Sequence, residues 1–404
     1  MIRRPPIQAA RFSNRMQWEQ SPNRVTLAVA ERSARGLPVI DLTETNPTRV
    51  GLSYPEEELA EVLHRAAGAA YDPHPRGILA AREALAAELS KTDDPVSPDD
   101  LVLTTSTSES YSHLFKLFAD PGDEVLTTAP SYPLLDSLTA LDGLGLRHVG
   151  LAAERRFAIE SADVAALAAA VEPYTKLLAV VHPSNPAGTF LSAEAQAGLS
   201  ALCASRRIPL VSDEVFADYP LADPPPGMRR AGPAAASGDA MTFSLGGLSK
   251  GAGLPSWKLG WIRVGGPPDV RRQVIDALEL VTDSYLSVAS PVQRALPEIL
   301  ALAPRIRATI LDRLRTNLAA LRAALAGLEG VTLYEPEGGG SAVLSVSGRA
   351  TDEDLVLDLL AQTGVRVHPG YFFDFVTEDF LVVSLLPEPA AFAAAVRRLA
   401  GFLG

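Results

Sequence analysis

A chain of 404 residues is long enough for two packed domains sharing a cleft, and 47% apolar with 21% charged residues is globular rather than disordered composition. The formal net charge of -12 argues against a nucleic-acid or anionic-membrane partner, because either requires a basic face. Cys203 is the one cysteine, which excludes an intrachain disulfide and a cysteine metal cluster and suits a reducing cytoplasm.

The first 45 or so residues, rich in Arg, Pro and Asn, read as an arm and a short helix packing on one of the domains, the smaller one in our expectation. Met1 to Pro6 is followed by Gln8, Arg11, Asn14 and Arg15 instead of an apolar core, so no signal peptide is expected. From about 100 to 265, short apolar runs alternate with amphipathic stretches. Strands are predicted at Leu101 to Thr104, Glu124 to Thr127, Arg147 to Val149, Leu177 to Val181, Pro209 to Val211, Met241 to Ser244 and Trp261 to Val264. Helices are predicted over Thr107 to Phe118, Ser161 to Val171 and Ala193 to Ser205; the first aligns Tyr111, Leu114, Phe115 and Phe118 on one face. The economical solution is an α/β fold with a mostly parallel sheet covered by helices. After about Pro267 come long Leu/Ala/Arg helices, a strand-rich stretch from Val331 to Leu386 and a closing helix from Ala390, the pattern of a smaller α+β domain. The expected division is an arm over 1–45, a large domain over 46–275 and a small one over 276–404. No run of about 18 apolar residues interrupts this pattern, so no membrane span is expected.

Three polar residues follow three of these strands: Asn185, Asp213 and Lys250. Open parallel sheets bind ligands at such ends. A lysine with a lowered pKa can attack an aldehyde, and a buried acid opposite a pyridine nitrogen keeps that nitrogen protonated. Asn185 is then placed to donate to a phenolate oxygen. Ser106, Thr107 and Ser108 stand between a strand and a helix start, where free N–H groups, hydroxyls and the helix dipole converge on an anion; Ser106 also suits a plain N-cap. Lys258 adds a cation, and Tyr132 is placed to stack on an aromatic ring. Gly247-Leu-Ser249-Lys-Gly251 also satisfies the G-x-S-x-G pattern of a hydrolase elbow, but Gly251, Gly253 and Pro255 oppose the helix such an elbow needs. The six histidines show no metal-binding spacing, and no Walker or Rossmann glycine pattern occurs.

Thr45-Asn46-Pro47, Tyr71 with Gly77 and Arg82, Pro121-Gly-Asp-Glu-Val125, Pro130-Ser-Tyr-Pro133 and Ser184-Asn185-Pro186-Ala-Gly188 occur in that order. They continue through Ser212-Asp213-Glu214-Val215, Gly247-Leu-Ser-Lys250, Gly253 to Trp261 and Val365-Arg-Val-His-Pro-Gly370. In this order and spacing the chain resembles the fold-type I, class I/II aminotransferases that use pyridoxal 5'-phosphate (PLP), with local likeness to the tyrosine and alanine branch. The resemblance implies a seven-stranded, mostly parallel sheet with helices on both faces, like that of aspartate aminotransferase. It implies Lys250 as the Schiff-base lysine, Asp213 as the pyridine partner and Asn185 as the phenolate donor. The implied activity is transamination between an amino donor and a keto acid, by a ping-pong route through a Lys250 aldimine. Tyr71 is implied to reach the phosphate of a neighbouring subunit, hence a homodimer.

Departures bear on the substrate. Where most relatives place an arginine for the substrate α-carboxylate, in an Arg-x-Ser or Arg-x-Thr strand, this chain has Val382-Val383-Ser384. Arg15, Arg49, Arg349 and Arg366 are candidates to replace it. Phe216 stands in place of a tyrosine, Lys258 in place of an arginine, and Thr45 in place of a glycine near the substrate; Trp18 is a second substrate-facing candidate. These changes keep open a PLP-dependent lyase or decarboxylase and, less favoured, a catalytically impaired PLP-fold binding protein.

Overall fold

The computed structural model describes residues 13–16, 21–68, 70–71, 73–91, 95–236, 238–348 and 351–404. Helices α1 (Arg24–Ala34), α2 (Glu56–Ala66) and α3 (Leu79–Leu89), with strand β1 (Ile40–Asp41) between the first two, precede the main sheet. The sheet segment then runs β2 (Leu101–Thr104), α4 (Thr107–Phe118), β3 (Glu124–Ala129), α5 (Leu134–Asp142), β4 (Gly145–Gly150) and α6 (Ser161–Ala170). It continues with β5 (Thr175–Val181), α7 (Ala193–Arg206), β6 (Leu210–Asp213), β7 (Thr242–Gly247), α8 (Leu248–Gly251) and β8 (Gly260–Gly265). The chain closes with α9 (Pro268–Asp283), α10 (Ser290–Leu325), β9 (Val331–Tyr334), β10 (Ser341–Val346), α11 (Asp352–Thr363), β11 (Val365–Arg366), β12 (His368–Pro369), β13 (Phe380–Ser384) and α12 (Pro389–Leu403).

Seven strands form one sheet in the order β2-β8-β7-β6-β5-β3-β4, parallel throughout except for β8, which is antiparallel to both neighbours. Its inner strands are apolar on both sides because both faces are covered. On β5, Leu177 and Ala179 join a core with Tyr111, Phe115 and Leu278 from α4 and α9, while Leu178 and Val180 join a second core with Leu167, Leu199 and Leu202 from α6 and α7. Period-two alternation thus feeds two helical layers. Each fully buried leucine here contributes roughly 1.5–3 kcal/mol.

The C-terminal part builds a second, four-stranded antiparallel sheet, β12-β13-β10-β9. The Val331 to Leu386 stretch is less uniformly extended than its composition predicts. It contains the helix α11, which Thr351 starts by accepting from the Asp354 N–H and Gly364 ends in a left-handed conformation. Within the N-terminal segment, β1 pairs in parallel with β11 and α1 packs on α11. Residues Asn14–Met16 lie elsewhere, against α5 of the main-sheet segment. Among the described residues no helix is long and apolar enough to cross a membrane.

Candidate active site

All six parallel strands, β2 included, end on the same edge of the sheet, and the loops after five of them carry the candidate residues. β5 leads to Asn185, β6 ends on Asp213 and β7 runs into Lys250 on the short helix α8. β2 leads to Ser106 and β3 to Tyr132. These residues, with Thr107, Ser108, Lys258 and Thr45, line one cavity of about 400 Å³. That volume suits a cofactor-sized ligand. Trp18 and Arg349 lie outside the described residues. Tyr71 does not line the cavity; it is 72% exposed and borders a separate depression with His74 and Pro75.

The end of β7 is shaped for close approach. A Cβ on Gly246 would lie 2.5 Å from the Trp261 ring, and one on Gly247 3.3 Å from the Gly260 Cα. A Cβ on Gly260 would in turn meet the Ser106 backbone at 3.1 Å. Glycine at these crossings lets β7 and β8 pass directly beneath the loop that begins α4. The turn carrying Lys250 is fastened from below: the Tyr219 hydroxyl donates to the Lys250 carbonyl at 2.6 Å, and the Tyr54 hydroxyl to the Gly253 carbonyl at 2.7 Å. Helix α8 spans only Leu248–Gly251 and starts before Ser249, not after it as a nucleophile elbow requires.

Burial lowers the Lys250 pKa, against the opposing charges of Asp213 and Glu44. Its Nζ lies 5.6 Å from the centre of the Phe216 ring, which offers it no hydroxyl. Burial also pushes Asp213 up to about 6, even though the Val215 N–H, the Lys250 charge and the Tyr111 hydroxyl all favour its ionised form. A positive ring nitrogen against this carboxyl would draw it back down. Behind it, Glu214 accepts from the Ala234 N–H and the Ser244 hydroxyl, each at 2.8 Å, and burial raises it to about 7. At the start of α4, Ser106 accepts from the Glu109 N–H at 3.2 Å, so the plain N-cap role is real. The Glu109 carboxylate accepts from the Thr105 N–H at 2.7 Å and pins the loop. The N–H groups of Thr107 and Ser108 belong to the first turn, where the helix itself offers no acceptor. With Lys258 on the same cavity, they put backbone donors and a cation, the groups an anion requires, on one wall.

This donor set fits PLP: an amine for the aldehyde, an acid for the ring nitrogen, an amide for the phenolate and a helix start for the phosphate. The family model for aminotransferase class I and II matches residues 44–399. The chain belongs to that family. Relatives include an alanine aminotransferase of Mycobacterium tuberculosis, 27% identical over 382 residues, 93% of this chain and 87% of that protein. An S-alkyl-thiohydroximate lyase of Arabidopsis thaliana is 30% identical over 249 residues, covering 61% of this chain and 52% of its own. Among solved structures, an alanine aminotransferase of Pyrococcus furiosus superposes with a TM-score of 0.87 at 22% identity, covering 97% of this chain and 99% of that one. The chain is therefore an aminotransferase-family enzyme of the aspartate aminotransferase-like fold.

Tyr111 and Tyr219 were not legible as site residues. Tyr111 sits on the apolar face of α4, and its helical period marks it as core, yet its hydroxyl reaches Asp213. Their one signal is a polar tip on a ring in a buried row, since such tips need partners. Val382 lines the cavity beside His368, its register partner across β12 and β13. Of the arginine candidates, Arg366 binds Asp41 at 3.1 Å, Arg15 packs beside Gly143, and Arg49 is exposed; none of the three lines the cavity. Asp136, His148 and Asp374 bring ligand-type atoms within 4.8 Å of one another, and none of the three lines the cavity.

Proposed function

We propose that this enzyme is a PLP-dependent transaminase that carries the cofactor as a Schiff base on Lys250 and moves an amino group between an amino donor and a keto acid by a ping-pong route. The observation that carries this reading is the meeting of a desolvated lysine, a buried acid and an amide from three adjacent parallel strands in one cavity. When bound, the cofactor supplies an electron sink for the bond broken at the substrate α-carbon. Asp213 holds a proton on the ring nitrogen, Asn185 donates to the phenolate oxygen, and Tyr132 covers the ring. Thr107, Ser108 and Lys258 hold the phosphate, with Ser106 fixing the turn. With the cofactor in place, the Lys250 amine would be the group that takes up and returns the proton at the substrate α-carbon. Thr45, which lines the cavity, faces the substrate.

The same reading makes the protein a cytoplasmic homodimer, divided at about 45 and 275, in which exposed Tyr71 reaches a neighbour's phosphate. A lyase or decarboxylase is the second reading, favoured by the apolar Val382 at the cavity wall and by the lyase relative. Borohydride reduction followed by peptide mass mapping should place the cofactor on Lys250, and Lys250→Ala should remove both the adduct and turnover. Survival of cofactor absorbance and amino transfer in that variant would overturn the assignment. Keto product formed without ammonia or carbon dioxide release separates the transaminase from the lyase.

A further inference from the structure

The cavity has two unlike walls. The main-sheet segment supplies its acid Asp213, the two lysines Lys250 and Lys258, and the helix start. The C-terminal part supplies Ile310, Leu314, Phe372, Val382 and Leu386, and among the described residues no charged side chain. Its one titratable group, His368, has its pKa lowered to about 4 by burial and by Arg366, so the ring is neutral at pH 7; its rings of contact are Phe372 and Phe373. The Ser384 hydroxyl is already spent, donating to the Glu44 carbonyl at 2.7 Å and accepting from the Leu386 N–H at 3.2 Å. Nearby guanidiniums are engaged elsewhere: Arg313 donates to the Val50 and Leu386 carbonyls, and Arg366 to Asp41. A carboxylate pressed on this wall would meet no cation and, of its side chains, only the neutral His368 ring and the Ser341 hydroxyl, whereas an alkyl or aryl group would be welcomed by it.

Resting on the transaminase reading and narrowing it, we infer that the preferred amino donor is a primary amine whose amine-bearing carbon carries an apolar group where an amino acid carries its carboxylate. The test uses wild-type holoenzyme and a pair differing only in that group: sec-butylamine and 2-aminobutyrate. Conversion of the bound cofactor to its amine form, followed by absorbance in a single half-reaction, should be at least ~10-fold more efficient with the amine. Equal or better conversion by 2-aminobutyrate overturns the inference and leaves the transaminase reading intact. A second readout needs no turnover: 3-phenylpropanol should raise the melting temperature of the holoenzyme more than 3-phenylpropanoate does. If neither amine nor amino acid converts the cofactor, the transaminase reading falls, and this ligand pair still decides the wall's preference. A larger shift from the carboxylate overturns it. Val382→Arg should reverse both preferences.

Discussion

The two walls of the cavity obey different physics. One is built at strand ends, where every residue that matters is polar and its neighbours exist to tune charge: Lys250 and Asp213 both have pKa values moved by burial toward the neutral form. The other belongs to packed elements whose inner side chains continue the hydrophobic core: Ile310 and Leu314 are buried members of the core that α10 shares with α2, α3 and α12. Chemistry can therefore be damaged on the first wall without loss of fold. On the second, fold and substrate choice are carried by the same atoms.

The largest separation should come from Lys250→Ala, which removes the group that moves the proton. Turnover is expected to drop by ~10⁴-fold or more with little change in melting temperature. Leu314→Ala should do the reverse. At 2% exposure, its loss leaves a cavity and should cost about 2–5 kcal/mol by denaturant unfolding, while the cofactor absorbance persists. If Leu314→Ala instead removed the chromophore at unchanged stability, the division of labour between the walls would be wrong.

How much of this was legible in advance follows the same division. Strands at Leu101 to Thr104 and Leu177 to Val181 were readable because they are short apolar runs between turn signals, and Asn185, Asp213 and Lys250 because each polar residue closes such a run. The cavity brings all three together with Ser106 to Ser108, Tyr132, Lys258 and Thr45. The C-terminal wall was harder. Its residues come from α10, β12 and β13, far apart in the chain, and nothing local distinguishes Leu314 or Val382 from ordinary core; only the resemblance marked Val382 as unusual. The helix α11 was hidden in a stretch that read as strands because Leu355, Val356, Leu359 and Leu360 also look like a β-run until Thr351 and Gly364 are recognised as its ends. Tyr71 stays outside the cavity of a single chain, and no local pattern reports on a second one.

Asp213 offers a finer probe, since it serves function at the expense of stability. Its folded pKa of about 6 lies above the ordinary 3.8, so between pH 4 and 6 the folded protein keeps a proton that the unfolded chain has released. The stabilisation this represents is fully present below about pH 4 and is lost as pH rises through 6, a difference of roughly 3 kcal/mol. Asp213→Asn should therefore stabilise the cofactor-free protein at pH 8 and leave it unchanged at pH 4, while slowing the half-reaction of the loaded enzyme by ~10²-fold. Equal stability effects at the two pH values would show that Asp213 is not strained by burial. Tyr111→Phe removes a hydrogen bond to the ionised form, so it should raise the Asp213 pKa further and move the pH profile of cofactor binding toward higher pH.

The smallest effect should come from Ser106→Ala, and it distinguishes the two roles this residue holds. Its hydroxyl accepts from the Glu109 N–H, so the loss of the cap should cost about 1 kcal/mol of stability with or without cofactor. The cap also holds the first turn of α4 against the Gly260 crossing, which fixes the direction of the Thr107 and Ser108 N–H groups. If those groups grip a phosphate, the variant should bind PLP more weakly while its affinity for unphosphorylated pyridoxal stays the same, because only the phosphate touches the helix start. Equal weakening for both ligands would mean that Ser106 acts on the fold alone and that the anion cradle lies elsewhere along the sheet edge.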